Sequence, residues 1–406
     1  MQLPDHLGHL SYSTLVHPSD TWEELRDSLS AYVPKVKSVI SPGTRFGVSL
    51  RLSGASATRL TQDASARREL AGILEDNDLY VYTVNAFPQG SFKGTTVKER
   101  VYEPDWSTEE RLRYTEQVAD LLAMLSPPDV DPSIQSAPLA FRPSVRDRAY
   151  LTVMTDNVLR VVAHLVELRH RTGRLVTLAL EPEPYCYLES TDETIRFFQE
   201  EIHSPRAIAR LAQAAQVDEG QAEEHLRRHL GVVFDIGHQS VGFEDVASSL
   251  AKLRQAEVPI FKLQEAAALW VPEVGPEAIE ELERYARSIY LTQTTELSEG
   301  SRLQYLNLED AIESWRRAPR PAEWRVHFHV PVFLDELGPF RSTRFAIEQA
   351  LAVHRASPLS AHLEVETYTW DVLPAHLKTG DIVDYVAREL DWVIGQLETP
   401  TRAGRP

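Results

Sequence analysis

Short apolar runs rich in β-branched residues alternate along this chain with stretches of helical hydrophobic spacing. Strands that alternate with helices predict βα units around a parallel sheet, and about eight such units predict a closed barrel. We therefore expect an α/β fold of the (β/α)8 barrel type. Six runs have clear strand character and two are weaker: the clear runs are 46–53, 79–87, 175–181, 230–237, 258–265 and 361–368, and the weaker runs are 10–16 and 132–137.

The long gap before the last barrel strand contains two further strand-like runs, 288–297 and 324–333. We interpret this gap as a βα segment that carries an insertion at about 270–335. The alternative is that the run 324–333 is itself the seventh barrel strand. Residues 1–397 are expected to form one barrel domain, and the polar segment 398–406 is expected to be a flexible tail.

Composition excludes several classes of protein. The 60 acidic and 42 basic residues give a net charge of −18, and no cluster of basic and aromatic residues is present, which argues against nucleic acid as a partner. No run approaches the roughly 18 apolar residues of a membrane-spanning helix. Cys186 is the only cysteine, so an internal disulfide and a cysteine-rich zinc site are both excluded. A start without the basic and apolar segments of a secretory signal predicts a cytoplasmic location.

Carboxylates lie at the C-terminal ends of three predicted barrel strands, where the active sites of α/β barrels are found. Each acid taken alone has a structural reading, such as a strand-end acid paired with arginine, a turn residue or a helix cap. Together they bring like charges to one rim, which is unfavourable unless protons or a cation neutralise them. We therefore expect one divalent metal ion, Mn²⁺, Mg²⁺, Co²⁺ or Zn²⁺. The strand-end residues are Glu181, Glu183, Asp235, His238, Glu364 and Glu366.

Further polar residues are candidates for the same pocket. His327 and His329 point the same way if their run is extended, because strand side chains repeat with period two. His17, Asn85 and Gln135 lie near the ends of the first, third and fourth strands. The common alternative for a lone histidine of this kind is a buried structural residue whose ring nitrogens are hydrogen-bonded.

Three motifs, "LALEPEP", "VVFDIGHQS" and "LEVETYTWDVLP", resemble those of the xylose-isomerase-like barrels. That superfamily contains sugar isomerases, ketose 3-epimerases, inosose dehydratases and endonuclease IV. The chain resembles the EboE group more closely, through "HPSDTWEELRDSLSAYVPKVK", "VKERVYEPDW" and "WRVHFHVPVF". This group, called metabolite traffic proteins, is associated with a bacterial gene cluster. The resemblance implies a sugar- or cyclitol-like small-molecule partner, and protein partners encoded in the same cluster.

The resemblance also implies a ligand set. The sugar-converting relatives bind one metal through a Glu, an Asp, a His and a Glu on strands five to eight. The matching positions for the Glu, the Asp and the second Glu are Glu181, Asp235 and Glu366, with Glu364 as the alternative to Glu366.

The strand-seven position departs from the pattern of the relatives, because the matching residue is Lys262 or Gln264 rather than histidine. The amide oxygen of Gln264 is one possible ligand, and His329 from the neighbouring insertion is the other. We favour His329, because neutral imidazole is the better ligand for late divalent metals.

By the same resemblance, the expected chemistry is isomerisation or epimerisation of a hydroxy ketone through an enediolate. Glu181 and Glu366 would move protons, His238 would bind a substrate oxygen, and Glu183 would be a second base. The substrate-binding set would be His17, Asn85, Gln135 and His327. A non-catalytic carrier for a secondary-metabolite precursor is the alternative, whereas the net charge disfavours a phosphodiesterase like endonuclease IV.

Overall fold

The computed structural model describes residues 1–398, and its centre is a sheet of eight parallel strands. A second sheet of six strands lies between the seventh and eighth barrel strands in the chain. The barrel begins with β1 (His9–Tyr12), β2 (Phe46–Arg51), β3 (Leu79–Asn85), β4 (Ser133–Ser136), β5 (Thr177–Leu180), β6 (Leu230–Asp235) and β7 (Ile260–Glu265). The second sheet has β8 (Ala267–Val271), β9 (Thr294–Ser298), β10 (Ser301–Tyr305), β11 (Glu323–Val330), β12 (Glu336–Leu337) and β13 (Phe340–Ser342), and β14 (His362–Val365) completes the barrel.

The barrel strands follow one another in space in chain order, and β14 lies between β7 and β1. A parallel bridge from Ser13, just after β1, to Ser49 in β2 joins the two edges of the sheet. All residues of β2, β3 and β6 are buried, which agrees with their mostly apolar sequences. The predicted (β/α)8 fold, with an insertion between its seventh and eighth strands, is therefore confirmed.

Helices cover the outside of the barrel and part of the second sheet. Several begin with side-chain caps that are visible in the sequence, such as Ser190 with Glu193 in a reciprocal capping box. The helices are α1 (Trp22–Ala31), α2 (Val33–Ile40), α3 (Gly54–Gln62), α4 (Ala64–Asp76), α5 (Glu109–Leu125), α6 (Arg148–Thr172), α7 (Thr191–Phe197), α8 (Pro205–Ala215), α9 (Glu219–His229), α10 (Ile236–Val241), α11 (Val246–Gln255), α12 (Pro276–Ala286), α13 (Leu308–Arg317), α14 (Arg344–Ala356) and α15 (Ile382–Glu398).

The insertion is a mixed segment of antiparallel strands and two helices, α12 and α13. Its strand β11 pairs with β8 and β9 in antiparallel fashion and has no partner in the barrel sheet. The run 324–333 is therefore not a barrel strand, and β7 takes the seventh place. The run 288–297 is extended only in its last part, where β9 begins at Thr294.

The C-terminal helix α15 packs against the outside of the barrel near α2 and α14. The predicted flexible tail, 398–406, lies outside the described residues except for Glu398, the last residue of α15. Within residues 1–398, no helix combines the length and the apolar character that crossing a membrane requires.

Candidate metal centre

Three carboxylates stand at the C-terminal rim of the barrel on three different strands. Glu181 directly follows β5, Asp235 is the last residue of β6, and Glu366 directly follows β14. Their side chains are buried, with relative exposures of 1%, 1% and 4%. The parallel register sets Gln264 of β7 level with Asp235 on one side and with Glu364 on the other. The rim therefore brings together acids that are far apart in the sequence.

The three carboxylates converge on a single atom, Nε2 of Gln264. This nitrogen lies 3.0 Å from Glu181 Oε1, 2.6 Å from Asp235 Oδ2 and 2.8 Å from Glu366 Oε2. An amide nitrogen carries only two hydrogens, so it cannot donate fully to three acceptors. The amide oxygen, Gln264 Oε1, is buried and has no hydrogen-bond partner. The amide oxygen of Gln264 therefore lacks a donor, and its nitrogen has too few hydrogens for the three carboxylates that face it.

Burial makes ionisation of these acids costly. Burial raises the pKa of Glu181 well above its ordinary value, and the charges of Glu366 and Asp235 raise it further. Burial likewise raises the pKa of Glu366, with added contributions from Glu364 and Asp235. Among residues 1–398, no lysine or arginine forms an ion pair with Glu181, Asp235 or Glu366. Protons or a divalent cation must therefore neutralise the cluster.

Neighbouring strands fix the outer oxygens of two of these acids. Gln135, on β4, donates from Nε2 to Glu181 Oε2 at 2.6 Å. Asn85, at the end of β3, donates to Glu366 Oε1 at 3.0 Å, and Ser13 donates to the same oxygen at 3.2 Å. These hydrogen bonds orient the carboxylates and leave Glu181 Oε1 and Glu366 Oε2 turned toward the point of convergence. Gln135 and Asn85 therefore hold the acids as well as lining the pocket.

Glu364 lies below this cluster and has a different partner. Its Oε2 is 2.8 Å from Nζ of Lys262, and both side chains are fully buried. Lys262 also donates to Oε1 of Gln135, whose amide nitrogen holds Glu181. The ion pair therefore accounts for Glu364, and Glu366 is the acid from this strand that faces the convergence point.

We expect Lys262→Met to lower the free energy of unfolding by roughly 3–5 kcal/mol, because breaking a buried ion pair leaves one charge uncompensated. The double variant Lys262→Met, Glu364→Gln should recover at least half of this loss. Lys252→Met, which breaks the exposed pair with Asp192, should cost less than about 1 kcal/mol. Urea unfolding measures all three, and equal losses for the two single variants would contradict this role for the buried pair.

The insertion supplies two histidines above the rim, His327 and His329 of β11. His329 donates from Nδ1 to the backbone oxygen of Glu366 at 2.8 Å. Its Nε2 is buried and has no hydrogen-bond partner. Ligand atoms of His329, Asp235 and Glu366 lie within 4.8 Å of one another. Both residues considered for the strand-seven ligand therefore lie next to the carboxylates. Gln264 is within hydrogen-bond distance of all three, and His329 is within 4.8 Å of Asp235 and Glu366.

His238 and Glu183 border the carboxylate cluster. His238 lies in the first turn of α10, where Asp235 caps its backbone N–H at 2.9 Å. Its Nδ1 is 3.0 Å from the backbone oxygen of Pro182, and its Nε2 is 3.7 Å from Asp235 Oδ2. Glu183 accepts from Oη of Tyr102 at 2.8 Å, and burial raises the pKa of this carboxyl. Glu183 is thus a buried member of the site rather than a solvated loop acid.

A cavity of about 50 Å³ opens above the acids. Its roof is aromatic: Phe92 stacks on Tyr290 at 4.9 Å between ring centroids, and Tyr290 meets Tyr368 edge-on at 5.1 Å. The predicted site residues that line the cavity are Asn85, Gln135, Glu181, Glu183, His238, His327 and Glu366.

His17 lies apart from this cavity. Its ring stacks on Tyr32 with centroids 4.2 Å apart, and its Nε2 is 3.0 Å from Oη of Tyr12. The chain turns into a short 3₁₀ segment after β1, and this turn directs His17 toward α2.

Three residues that hydrogen-bond to the acids of the site were not predicted from the sequence: Ser13, Tyr102 and Gln293. Tyr102 ends a 3₁₀ segment in the loop after β3, and Gln293 lies just before β9 in the insertion. Gln293 donates to Tyr102 Oη at 2.9 Å, so two long loops meet over Glu183. Neither loop has a periodic pattern. For Ser13, its place one residue after β1 was the only available clue.

The donor set fits a divalent metal ion. The three carboxylate oxygens converge on one point, and Nε2 of His329 lies within 4.8 Å of ligand oxygens of Asp235 and Glu366. The amide of Gln264 presents its nitrogen to this point, so its unpartnered oxygen would become a ligand only after the amide turns over. Oxygen donors with one nitrogen suit Mg²⁺, Mn²⁺, Co²⁺ or Zn²⁺. The residues able to hold the ion are Glu181, Asp235, Glu366, His329 and Gln264.

No family model matches this chain, and no curated protein matches it. Solved structures with a similar arrangement include a xylose isomerase-like TIM barrel protein from Mycobacterium smegmatis in complex with magnesium. That match has 11% identity, covers 97% of both chains and has a TM-score of 0.49. An L-ribulose 3-epimerase matches with 13% identity over 96% of this chain and 94% of its own, with a TM-score of 0.46. The IOLI protein with a zinc atom matches with 11% identity over 96% and 97%, also with a TM-score of 0.46.

Proposed function

We propose that this protein is a divalent-metal-dependent isomerase or epimerase that acts on a sugar- or cyclitol-like hydroxy ketone through an enediolate. The observation that carries this proposal is the convergence of Glu181, Asp235 and Glu366 on one point in the barrel mouth. A site built only to stabilise the fold would gain more from apolar side chains, because buried like charges are costly. Glu181 and Glu366 also line the cavity, where they can meet a ligand.

A bound divalent ion would supply Lewis-acid stabilisation of the negative charge that develops on the substrate oxygens. The chain's own acids would move the proton. The C–H bond next to the substrate carbonyl would break, and Glu181 would take the proton. The C–H electron pair would form the C=C bond while the carbonyl π pair moves onto its oxygen, which gives the enediolate once the neighbouring hydroxyl has lost its proton. Glu366 in its protonated form would return a proton to the same carbon for epimerisation, and the hydroxyl proton would return to its own oxygen. For isomerisation Glu366 would protonate the former carbonyl carbon, and the hydroxyl proton would pass to the former carbonyl oxygen. Exchange with solvent would then restore both carboxyl groups.

Other residues would bind and orient the substrate. His238 offers Nε2 toward the cavity to a substrate hydroxyl, since its Nδ1 is held by the backbone oxygen of Pro182. Glu183, which accepts a hydrogen bond from Tyr102, would serve as a second base. The aromatic roof of Phe92, Tyr290 and Tyr368 would exclude water from the enediolate.

A finer assignment follows the sequence motifs. We propose that the protein belongs to the EboE group of metabolite traffic proteins, acting in the cytoplasm on a secondary-metabolite precursor. A carrier that binds this precursor without converting it would use the same cavity. The two functions differ in whether a carbon-bound proton is exchanged.

Proton exchange provides the test. We expect the Mn²⁺-loaded protein to incorporate deuterium from D₂O next to the carbonyl of at least one member of a panel of ketohexoses and inososes, observed by NMR. Glu366→Gln should reduce the exchange rate at least about 100-fold, the usual contribution of a general base. Glu280→Gln, which changes an exposed acid on α12, should leave the rate unchanged. Equal rates for Glu366→Gln and the parent protein would contradict the proposal, and binding without exchange would favour the carrier.

A further inference from the structure

Three buried histidines meet beside the carboxylate cluster: His238 of α10 and His327 and His329 of β11. One ring nitrogen from each lies within 4.8 Å of the corresponding nitrogens of the other two. The hydrogen bonds of their other ring nitrogens determine which nitrogen of each ring carries the proton.

The backbone fixes two of the three tautomers. Nδ1 of His238 lies 3.0 Å from the backbone oxygen of Pro182, and Nδ1 of His329 lies 2.8 Å from that of Glu366. A carbonyl oxygen can only accept, so both Nδ1 atoms must carry hydrogen. In the neutral rings, both Nε2 atoms then carry no hydrogen and can act only as acceptors.

The amide of Gln293 fixes the third tautomer. Its Nε2 faces Glu183 Oε1 and the backbone oxygen of Pro184, each at 3.3 Å, and both of these are acceptors. The other end of the amide, Oε1, therefore accepts, and it lies 2.9 Å from Nδ1 of His327. Nδ1 of His327 must donate, so its Nε2 is also a bare acceptor in the neutral ring.

These bare nitrogens face one another. Nε2 of His238 lies 3.2 Å from Nε2 of His327, which places two lone pairs in opposition. Nε2 of His329 is buried and unpartnered. A single shared proton would relieve the first contact but would leave His329 unsatisfied. A cation would satisfy all three nitrogens.

The spacing agrees with metal ligation. Two nitrogens bound tetrahedrally to zinc at about 2.0–2.1 Å lie about 3.3–3.4 Å apart, close to the contact between His238 and His327. Metal-bound imidazoles also usually donate their other N–H to a carbonyl or carboxylate oxygen, as all three rings do here.

We propose that His238, His327 and His329 form a second divalent-cation site, selective for zinc-type ions, next to the carboxylate site. The first ion then takes Glu181, Asp235, Glu366 and the amide oxygen of Gln264, which must turn toward it. Imidazole favours Zn²⁺ and Co²⁺, whereas carboxylate and amide oxygens favour Mg²⁺ and Mn²⁺, so the two positions differ in preference. With this second ion bound, Nε2 of His238 would be a ligand, and a substrate hydroxyl near His238 would contact the ion rather than the ring nitrogen. The assignment does not depend on the proposed reaction.

Zinc stoichiometry tests this proposal. Chelator-treated protein is dialysed against Zn²⁺, and the metal content is measured by inductively coupled plasma mass spectrometry. We expect two ions per chain for the parent protein and one for His327→Gln, with the second ion bound at least about 100-fold more weakly in the variant. His225→Gln, a histidine on α9 outside the barrel, is the matched control and should keep two ions. His329→Gln provides a second variant, and circular dichroism checks that each variant is folded.

The outcomes separate this site from the proposed function. One ion that Glu181→Gln removes and His327→Gln keeps would overturn the second site and leave the reaction proposal standing. One ion that His327→Gln removes and Glu181→Gln keeps would support the imidazole site and contradict the metal-dependent reaction. A parent protein that binds no zinc would overturn the second site, and the Mn²⁺ experiment would then decide the proposed reaction separately.

Discussion

Glu181→Gln and Asp235→Asn should each weaken binding of Mn²⁺ at the carboxylate site by at least about 100-fold, since even outer-shell partners of a metal are worth 10–100-fold. Each change keeps the size of the side chain and removes one negative charge from the point where the acids converge. In Asp235→Asn, the amide oxygen of the new side chain can still cap the backbone N–H of His238, so α10 should stay intact. Isothermal titration of the metal-free protein measures the two affinities.

Matched controls remove the same charge elsewhere. Asp245 caps α11 through its side chain as Asp235 caps α10, but it lies outside the site, so Asp245→Asn should bind Mn²⁺ as the parent does. Glu280→Gln is the matched control for Glu181→Gln, and it should also bind Mn²⁺ as the parent does. Unchanged Mn²⁺ affinity in both site variants would show that these acids do not hold an ion.

The free energy of unfolding of the metal-free protein should fall as the pH rises from about 5 to 8. Glu181 and Glu366 have raised pKa values in the folded state because of burial, so they keep protons that the unfolded chain releases. Stability is therefore highest below the ordinary carboxyl pKa and is lost as the pH rises toward the folded-state values. About 1.4 kcal/mol is lost per pH unit for each carboxyl that is protonated only when folded.

Bound metal should reverse this slope, because the ion binds the deprotonated carboxylates and stabilises the fold more as the pH rises. The double variant Glu181→Gln, Glu366→Gln should have a shallower slope without metal. It should keep some slope, because burial also raises the pKa of Glu265, and raises that of Glu389 to about 8. Urea unfolding at several pH values, with and without Mn²⁺, measures these effects. A parent slope equal to that of the double variant would contradict the raised pKa values.

The strand pattern predicted the barrel because parallel strands covered on both faces have mostly apolar sequences without strict alternation, as in β2, β3 and β6. The position of acids at strand ends also predicted which residues meet at the rim. Glu181 and Asp235 are separated by 54 positions in the sequence yet both contact one amide. The local sequence pattern was sufficient to predict that these acids meet, because closure of the barrel alone brings the strand ends together.

The insertion was harder to predict, because the arrangement of its strands depends on contacts between distant parts of the chain. Strand β8 begins after a single residue, Ala266, beyond β7, and its sequence "AALWV" reads as a continuation of the apolar run. The pairing of β11 with β8 and β9 is long-range and leaves no local signal. The choice between Gln264 and His329 likewise depends on where β11 lies over the rim, so the sequence left it open.

The most direct test of the carboxylate site is anomalous diffraction from crystals equilibrated with Mn²⁺. If the carboxylate site binds Mn²⁺, we expect an anomalous peak within about 2.6 Å of carboxylate oxygens from Glu181, Asp235 and Glu366. This distance is the range for hard cations bound to oxygen. A map without a peak between these three acids, at Mn²⁺ concentrations that saturate the protein in solution, would contradict this expectation.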